Sequence, residues 1–167
     1  KAKYAETQTH GFEVDLVGAR DGTLVLASVK SFFGSRGVVA EHVMGTADDP
    51  RATRGYAMFN DADVRSQILN GASGRYGYAI SEIQFRLYVG RFAGARGTDH
   101  EERIRAWCAG QTVGAGPVTV HGLDEVARAA RRAASRKTYR NNPALVAIKV
   151  LDAAGMLACV RRYEDID

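Results

Sequence analysis

Residues 12–30 limit the possible folds of this chain most strongly, because two runs of alternating polarity flank an Asp-Gly pair. Phe12 to Ala19 alternates with period two, and Leu24 to Lys30 does the same. Period-two alternation is typical of β-strands that bury one face. Asp21-Gly22 suits the two-residue type I′ loop of a hairpin. The segment therefore predicts an antiparallel strand pair with a defined register.

The register of this hairpin predicts where four polar side chains lie. If Asp21-Gly22 forms the loop, Asp15 lies directly opposite Ser28. In the same register, Glu13 lies opposite Lys30. Opposed residues share one sheet face, with Cβ atoms about 5 Å apart. We therefore expect one polar patch, which a one-residue bulge would disperse.

Two interpretations of this patch are open. In the first, a cross-strand ion pair and a hydrogen bond lie on a solvated sheet face, each contributing under about 1 kcal/mol. In the second, the patch supports metal-assisted phosphodiester hydrolysis. Carboxylates would hold Mg²⁺ or Mn²⁺, the ion would lower the pKa of a bound water, and the lysine would orient that water.

The strings EVDLV at residues 13–17 and LVLASVK at residues 24–30 resemble the catalytic hairpin of the PD-(D/E)xK nuclease superfamily. That hairpin carries an Asp on one strand and Glu/Asp-x-Lys on the next. The resemblance is close over residues 13–30 and loose over the flanking elements. It implies a restriction-endonuclease-like core, a magnesium cofactor and a DNA substrate. It also implies Asp15 as metal ligand, Lys30 as catalytic lysine and Glu13 as an auxiliary acid.

Ser28 departs from the family pattern, because an acid is expected two residues before Lys30. Serine is neutral and a poor ligand for Mg²⁺. Some restriction enzymes of the superfamily carry Ser-x-Lys and take the missing carboxylate from a following helix, which here would make Glu41 the second metal ligand. Alternatively, the domain binds nucleic acid without cutting it. A third explanation is that Ser28 is an introduced substitution.

The rest of the chain predicts further strands and helices by period, capping residues and turn residues. These are a loop with one or two helical turns over 31–50, a helix from Asp61 to about Gly71, a strand within 80–92, a helix from a capping box at Thr98–Glu101 to Trp107, a short strand over 116–122, a helix from Asp124 to Lys137, and a helix from Asn142-Pro143 to Gly155. The fold class is therefore α/β, with a central mixed β-sheet flanked by helices.

Two sets of basic residues are candidates for phosphate contacts. Arg128, Arg132 and Arg136 recur every four residues on one predicted helix, a spacing that could follow a nucleic-acid backbone. A solvated helix face explains them equally well. Arg36 lies in GSRG, directly after the lysine strand, where it could approach a phosphate or belong to a plain loop.

Composition sets broader expectations. A chain of 167 residues fits a single domain over residues 1–167, and its net charge of +4 is compatible with a DNA partner. Cys108 and Cys159 form no disulfide framework, which favours reduced thiols in the cytoplasm. No apolar run approaches the roughly 20 residues of a membrane span. Because the chain begins with Lys1, an upstream helix is a further expectation, and a homodimer stays open.

The alternatives to a nuclease are an inactive nuclease-fold module that binds nucleic acid or a protein partner, and a structural domain with no nucleic-acid role.

Overall fold

A computed structural model of the protein describes residues 13–94, 99–135 and 142–157. The chain divides after Gly122 into two compact units, which are described separately. The first unit contains, in order, β1 (Leu16–Arg20), β2 (Thr23–Lys30), α1 (Ala40–Met44), α2 (Pro50–Arg54), α3 (Ala57–Asn60), α4 (Ala62–Tyr76), a 3₁₀ turn (Ile80–Glu82), β3 (Ile83–Val89), α5 (His100–Ala109), β4 (Thr112–Val113), β5 (Gly116–Pro117) and β6 (Thr119–Gly122).

A mixed four-stranded sheet forms the centre of this unit, in the order β1-β2-β3-β6. β1 is antiparallel to β2, whereas β2 with β3 and β3 with β6 are parallel pairs. Parallel neighbours need crossover connections, since a tight turn cannot join them. Helices α1 to α4 make the first crossover and α5 lies in the second. The predicted fold class, a mixed β-sheet flanked by helices, is confirmed.

The hydrophobic core lies against one face of β2 and β3. In β3 the buried positions alternate strictly, so Ile83, Phe85, Leu87 and Val89 all face the core, as their period predicts. Leu24 and Leu26 of β2 belong to the same cluster, and the helices contribute further buried side chains, which are Val43, Phe59, Val64, Ile68 and Ile104. Core packing thus determines which face of β2 packs against the helices.

Helix ends agree with the predicted capping residues at two places. Asp61 accepts hydrogen bonds from the backbone N–H groups of Asp63 and Val64, which begins α4 as predicted. The helix continues past Gly71 to Tyr76 and ends at Gly77, whose φ of 74° is the left-handed conformation that glycine favours at a helix end. The predicted end was therefore too early, because interior glycines, here Gly71 and Gly74, weaken a helix without stopping it.

The second unit is a pair of helices, α6 (Leu123–Ala134) and α7 (Pro143–Ala153), which pack against each other. Asn142 accepts hydrogen bonds from two backbone N–H groups and begins α7, as predicted. Arg131 on α6 forms an ion pair of 2.7 Å with Asp152 on α7. Among the described residues, no helix combines the length and hydrophobicity that crossing a membrane requires.

Some predicted features lie outside the described residues. They are the strand start at Phe12, the cap at Thr98, Arg136, the helix end at Lys137, and Cys159. The prediction of one domain over residues 1–167 stays a prediction.

Candidate active site on the β1–β2 hairpin

The β1–β2 hairpin has the register that its sequence predicts. Arg20 pairs with Thr23, and the pairing continues without a bulge to Leu16 opposite Ala27. Asp21 and Gly22 have φ values of 51° and 78°. Positive φ at both central residues is the requirement of a type I′ turn, whose twist matches that of the strands. The turn therefore fixes which residues of the two strands are neighbours.

Asp15 lies beside Ser28, as this register requires. Oδ2 of Asp15 accepts one hydrogen bond from Oγ of Ser28 at 2.9 Å and another from the backbone N–H of Val29 at 2.6 Å. Ser28 is only 7% exposed and is the one polar side chain in the buried class among the described residues. A buried hydroxyl needs a partner, and the Asp15 carboxylate supplies it.

Glu13 does not join this patch, so the predicted Glu13–Lys30 pair is wrong for the described structure. The strand ladder ends at Leu16, and Glu13 is an exposed residue beyond it. The carboxylate of Asp15 already accepts from the Val29 N–H, which takes the place of the next backbone acceptor in the ladder. The described ladder therefore ends before the position at which Glu13 would pair with the lysine.

Lys30 shares a face of β2 with Ser28, because side chains two residues apart in a strand point to the same side. Its Nζ lies 5.3 Å from the centroid of the Tyr56 ring. Tyr56 is 5% exposed, and burial raises its pKa to about 12, so the phenol is neutral. An ammonium over an aromatic ring is stabilised by about 0.5–2 kcal/mol. Tyr56 thus holds the lysine near the end of β2.

No local sequence signal points to Tyr56 as a site residue. It precedes α3 and belongs to no motif or period that includes β2. Only the packing of the helices against the sheet brings its ring beneath the lysine.

Glu41 lies on α1, and its described partners are on α5. Its Oε1 is 2.6 Å from Nη1 of Arg103, and its Oε2 is 3.7 Å from Nδ1 of His100. A hydrogen bond from the backbone of Glu41 itself, then the Arg103 guanidinium, lowers the pKa of this carboxyl below its usual value. Glu41 is therefore a carboxylate at neutral pH. The backbone N–H of Ala40 donates to Nδ1 of His100 at 3.3 Å, which holds the imidazole beside this carboxylate.

His100 and Arg103 had not been predicted as site residues. Their spacing of three places both on one face of a helix, and this is the signal that could have linked them.

The segment after Lys30 is fastened to the segment after β3. The backbone N–H of Gly90 donates to the carbonyl of Lys30 at 2.9 Å. Val38 then exchanges backbone hydrogen bonds with Arg91 and Ala93, at 2.9 and 2.8 Å. Arg36 lies exposed within the loop between these two attachments. The predicted loop is thus anchored at both ends, close to the end of β2.

A metal ion would find few protein donors at this site. Among the described residues, no three His, Cys, Asp or Glu side chains converge into a metal-binding group. Magnesium commonly binds proteins through only one or two carboxylates, with water and substrate phosphates completing the shell. Asp15 fits that mode of binding, since both described hydrogen bonds to its carboxylate use Oδ2. The donors therefore suit an ion that is shared with a phosphate substrate.

The basic residues predicted on the following helix belong to the second unit. Arg128 and Arg132 are exposed on α6, while Arg136 is outside the described residues. Their contact with nucleic acid stays a prediction.

Comparisons of the chain with protein-family models, with curated proteins and with solved structures found no match. The functional interpretation therefore depends on the residues of the hairpin and their geometry.

Proposed function

We propose that the protein is a metal-dependent nuclease that hydrolyses phosphodiester bonds in DNA, built on a restriction-endonuclease-like core. The observation that supports this most strongly is the hydrogen bond of 2.9 Å between Asp15 and Ser28. It holds a carboxylate on the face of β2 that also carries Lys30, two residues further along. An acid and an amine are thus neighbours at the end of a strand, as this chemistry requires.

The place of these groups in the sheet also supports the proposal. Lys30 is the last residue of β2, and β3 runs parallel beside it to Val89. In α/β proteins, ligands bind outside the carboxyl ends of parallel strands, where the connecting loops leave a crevice. A phosphate bound there would lie within reach of both strand ends.

Each of the hairpin side chains has a defined task in the proposed reaction. Asp15 would hold the cation, while Ser28 and the Val29 N–H fix the position of its carboxylate. A bound Mg²⁺ or Mn²⁺ would lower the pKa of a water molecule and offset charge on the phosphate. Lys30 has three N–H donors and no acceptor, so it positions the water and neutralises developing negative charge. Glu41 is the proposed second acid, because it lies on α1, the first helix after the lysine strand.

A second candidate function is a nuclease-fold module that binds nucleic acid without cutting it. The ion pair of 2.6 Å between Glu41 and Arg103 favours this alternative, because the guanidinium occupies the acid that would complete the metal site. The neutral Ser28 at the position of the expected acid favours it as well.

Cleavage of supercoiled plasmid in Mg²⁺, Mn²⁺ or EDTA tests the proposal. We expect nicking with either metal and none in EDTA. Lys30→Ala removes one donor to the developing charge and should lower the rate about 100-fold or more. Its matched control is Arg54→Ala, which removes an exposed cation from α2 and should leave the rate unchanged.

Asp15→Asn tests the carboxylate. The amide keeps an oxygen that can accept from Ser28 but loses the charge, so cleavage should fall while the melting temperature changes little. Asp48→Asn, at an exposed position, is the control. Metal-independent DNA binding with no cleavage would favour the binding module. Absence of DNA binding even at low salt would contradict both functions.

A further inference from the structure

The loop of residues 31–37, here called the aromatic loop, exposes two large apolar side chains in succession. Phe32 is 40% exposed and Phe33 is 63% exposed. Single exposed apolar residues are common on protein surfaces and need no explanation. Two adjacent exposed phenylalanines are followed three residues later by an exposed Arg36, so one short loop carries two rings and a positive charge.

The aromatic loop is held in its conformation, although its rings contribute little to the core. Phe32 has a φ of 43°, in the left-handed region that residues with a Cβ rarely adopt. Strained backbone of this kind persists only where the surrounding structure fixes it, and it concentrates at functional sites. Here the backbone N–H of Ser35 donates to the carbonyl of Phe32 at 3.2 Å, and the Ser35 hydroxyl donates to the same oxygen at 3.3 Å.

Two glycines, Gly37 at the end of the aromatic loop and Gly90 just after β3, allow the loop to lie close to the segment after β3. A Cβ on Gly37 would lie 2.6 Å from the backbone carbon of Phe92. A Cβ on Gly90 would lie 2.9 Å from the ring of Phe33, so this ring contacts Gly90 with part of its surface and exposes the remainder. The chain thus presents Phe33 at a fixed place, three residues from Lys30.

We infer that the aromatic loop binds unpaired nucleotides, with Phe32 and Phe33 stacking on bases and Arg36 contacting a phosphate. This inference rests on the proposed function for the identity of the polymer. Aromatic rings beside a cation are the usual platform for single-stranded nucleic acid, since every base has a face that can stack. A duplex hides those faces and offers only base edges and phosphates. The substrate is therefore DNA that is single-stranded, or locally opened, next to the scissile bond.

Fluorescence anisotropy in EDTA tests this inference separately from cleavage. The probes are a labelled single-stranded oligonucleotide and a hairpin duplex of the same base composition. Phe33→Ala should weaken single-strand binding about 5- to 150-fold, which corresponds to the loss of one stacking aromatic. Phe33→Trp should keep the affinity for the single-stranded oligonucleotide near wild type, because the indole ring stacks on bases as well. Duplex binding should change less than about twofold.

Tyr76→Ala is the matched control, because this tyrosine is 42% exposed at the end of α4. It removes an exposed aromatic ring elsewhere in the same unit and should leave both affinities unchanged. Circular dichroism melts confirm that each variant is folded, and the exposed position of Phe33 predicts a small effect.

The inference is overturned if Phe33→Ala leaves single-strand affinity intact. It is also overturned if the variant weakens duplex binding equally, or if Tyr76→Ala has the same effect. Cleavage failure alone refutes the nuclease proposal and leaves the binding result standing. Conversely, cleavage without any dependence on Phe33 refutes only the inference.

Discussion

Gly90→Ala would test how firmly the chain after β2 is packed against the end of β3. Gly90 follows β3, and its N–H donates to the Lys30 carbonyl at 2.9 Å. A Cβ added there would overlap the carbonyl oxygen of Ser31 and lie 2.9 Å from Cζ of Phe33. The φ of Gly90 is outside the left-handed range, so lack of space is the whole obstacle to a side chain.

The expected loss follows from what must move. Forcing an extra carbon into a packed region lowers the free energy of unfolding by about 1–3 kcal/mol. The atom in the way is backbone rather than the end of a flexible side chain, which favours the upper half of that range. Displacing Ser31 also strains the hydrogen bond from the Gly90 N–H to the Lys30 carbonyl, and such a bond contributes about 1 kcal/mol to stability. We expect unfolding to become easier by about 2–3 kcal/mol, a fall in melting temperature of about 5–10 °C.

Thermal melts by calorimetry or circular dichroism measure this change, with Gly71→Ala as the matched control. Gly71 lies inside α4 and has nothing within 4 Å of an added Cβ. Alanine there should stabilise the helix by about 0.5–1 kcal/mol. The same chemical change should therefore lower the melting temperature at one glycine and raise it at the other. Single-strand binding should fall only in Gly90→Ala, because only that variant displaces Phe33.

A Gly90→Ala protein that melts at or above the wild-type temperature would refute this reasoning. It would mean that the chain after Lys30 has room to move away from β3. The fixed place of the aromatic loop would then lose its main support.

Three further predictions concern the side chains of the site. Ser28→Asp places a second carboxylate beside Asp15, so without metal the variant should melt at a lower temperature than wild type. In calorimetry, Mg²⁺ at ten times its dissociation constant should raise the free energy of unfolding of the variant by about 1.4 kcal/mol, more than it does for wild type. An equal gain in wild type would contradict this. Glu41→Gln should cost about 0.5–1 kcal/mol at pH 7, since the carboxylate is about one-third exposed. Because folding lowers the pKa of Glu41 from 4.5, its contribution is complete above pH 4.5 and is lost as the pH falls through the folded value, so melting curves of wild type and variant should converge in acid. In an Arg103→Ala background, the pH at which these melting curves converge should move up toward pH 4.5. Unchanged melting curves would exclude the Glu41–Arg103 ion pair as a cause of the lowered Glu41 pKa. Tyr56→Phe should keep both cleavage and the NMR shift of the lysine ammonium near wild type, whereas Tyr56→Leu should alter both, since the ring rather than the hydroxyl holds the charge.

Local patterns predicted much of the fold. The hairpin register, the alternation of β3 and the starts of α4 and α7 all follow from residues within a few positions of each other. Turn residues, strand period and capping side chains act over such short distances, so one sequence is enough to infer them. The error at Glu13 has a related origin. Its predicted pairing assumed that the ladder continues, whereas the side chain of Asp15 ends it by accepting from the Val29 N–H.

The surroundings of the site could not be predicted in this way. Tyr56 reaches Lys30 from the turn before α3, and Arg103 reaches Glu41 from α5, so each pair is far apart along the chain. No period or spacing links these residues, because their contact depends on how α1, α3 and α5 pack with the sheet. The sequence by itself determined that an acid, a serine and a lysine share one face of a hairpin, since turn geometry and side-chain alternation are local. Tertiary structure alone decided which groups restrain the lysine and which cation pairs with Glu41, since helix packing brings distant residues together.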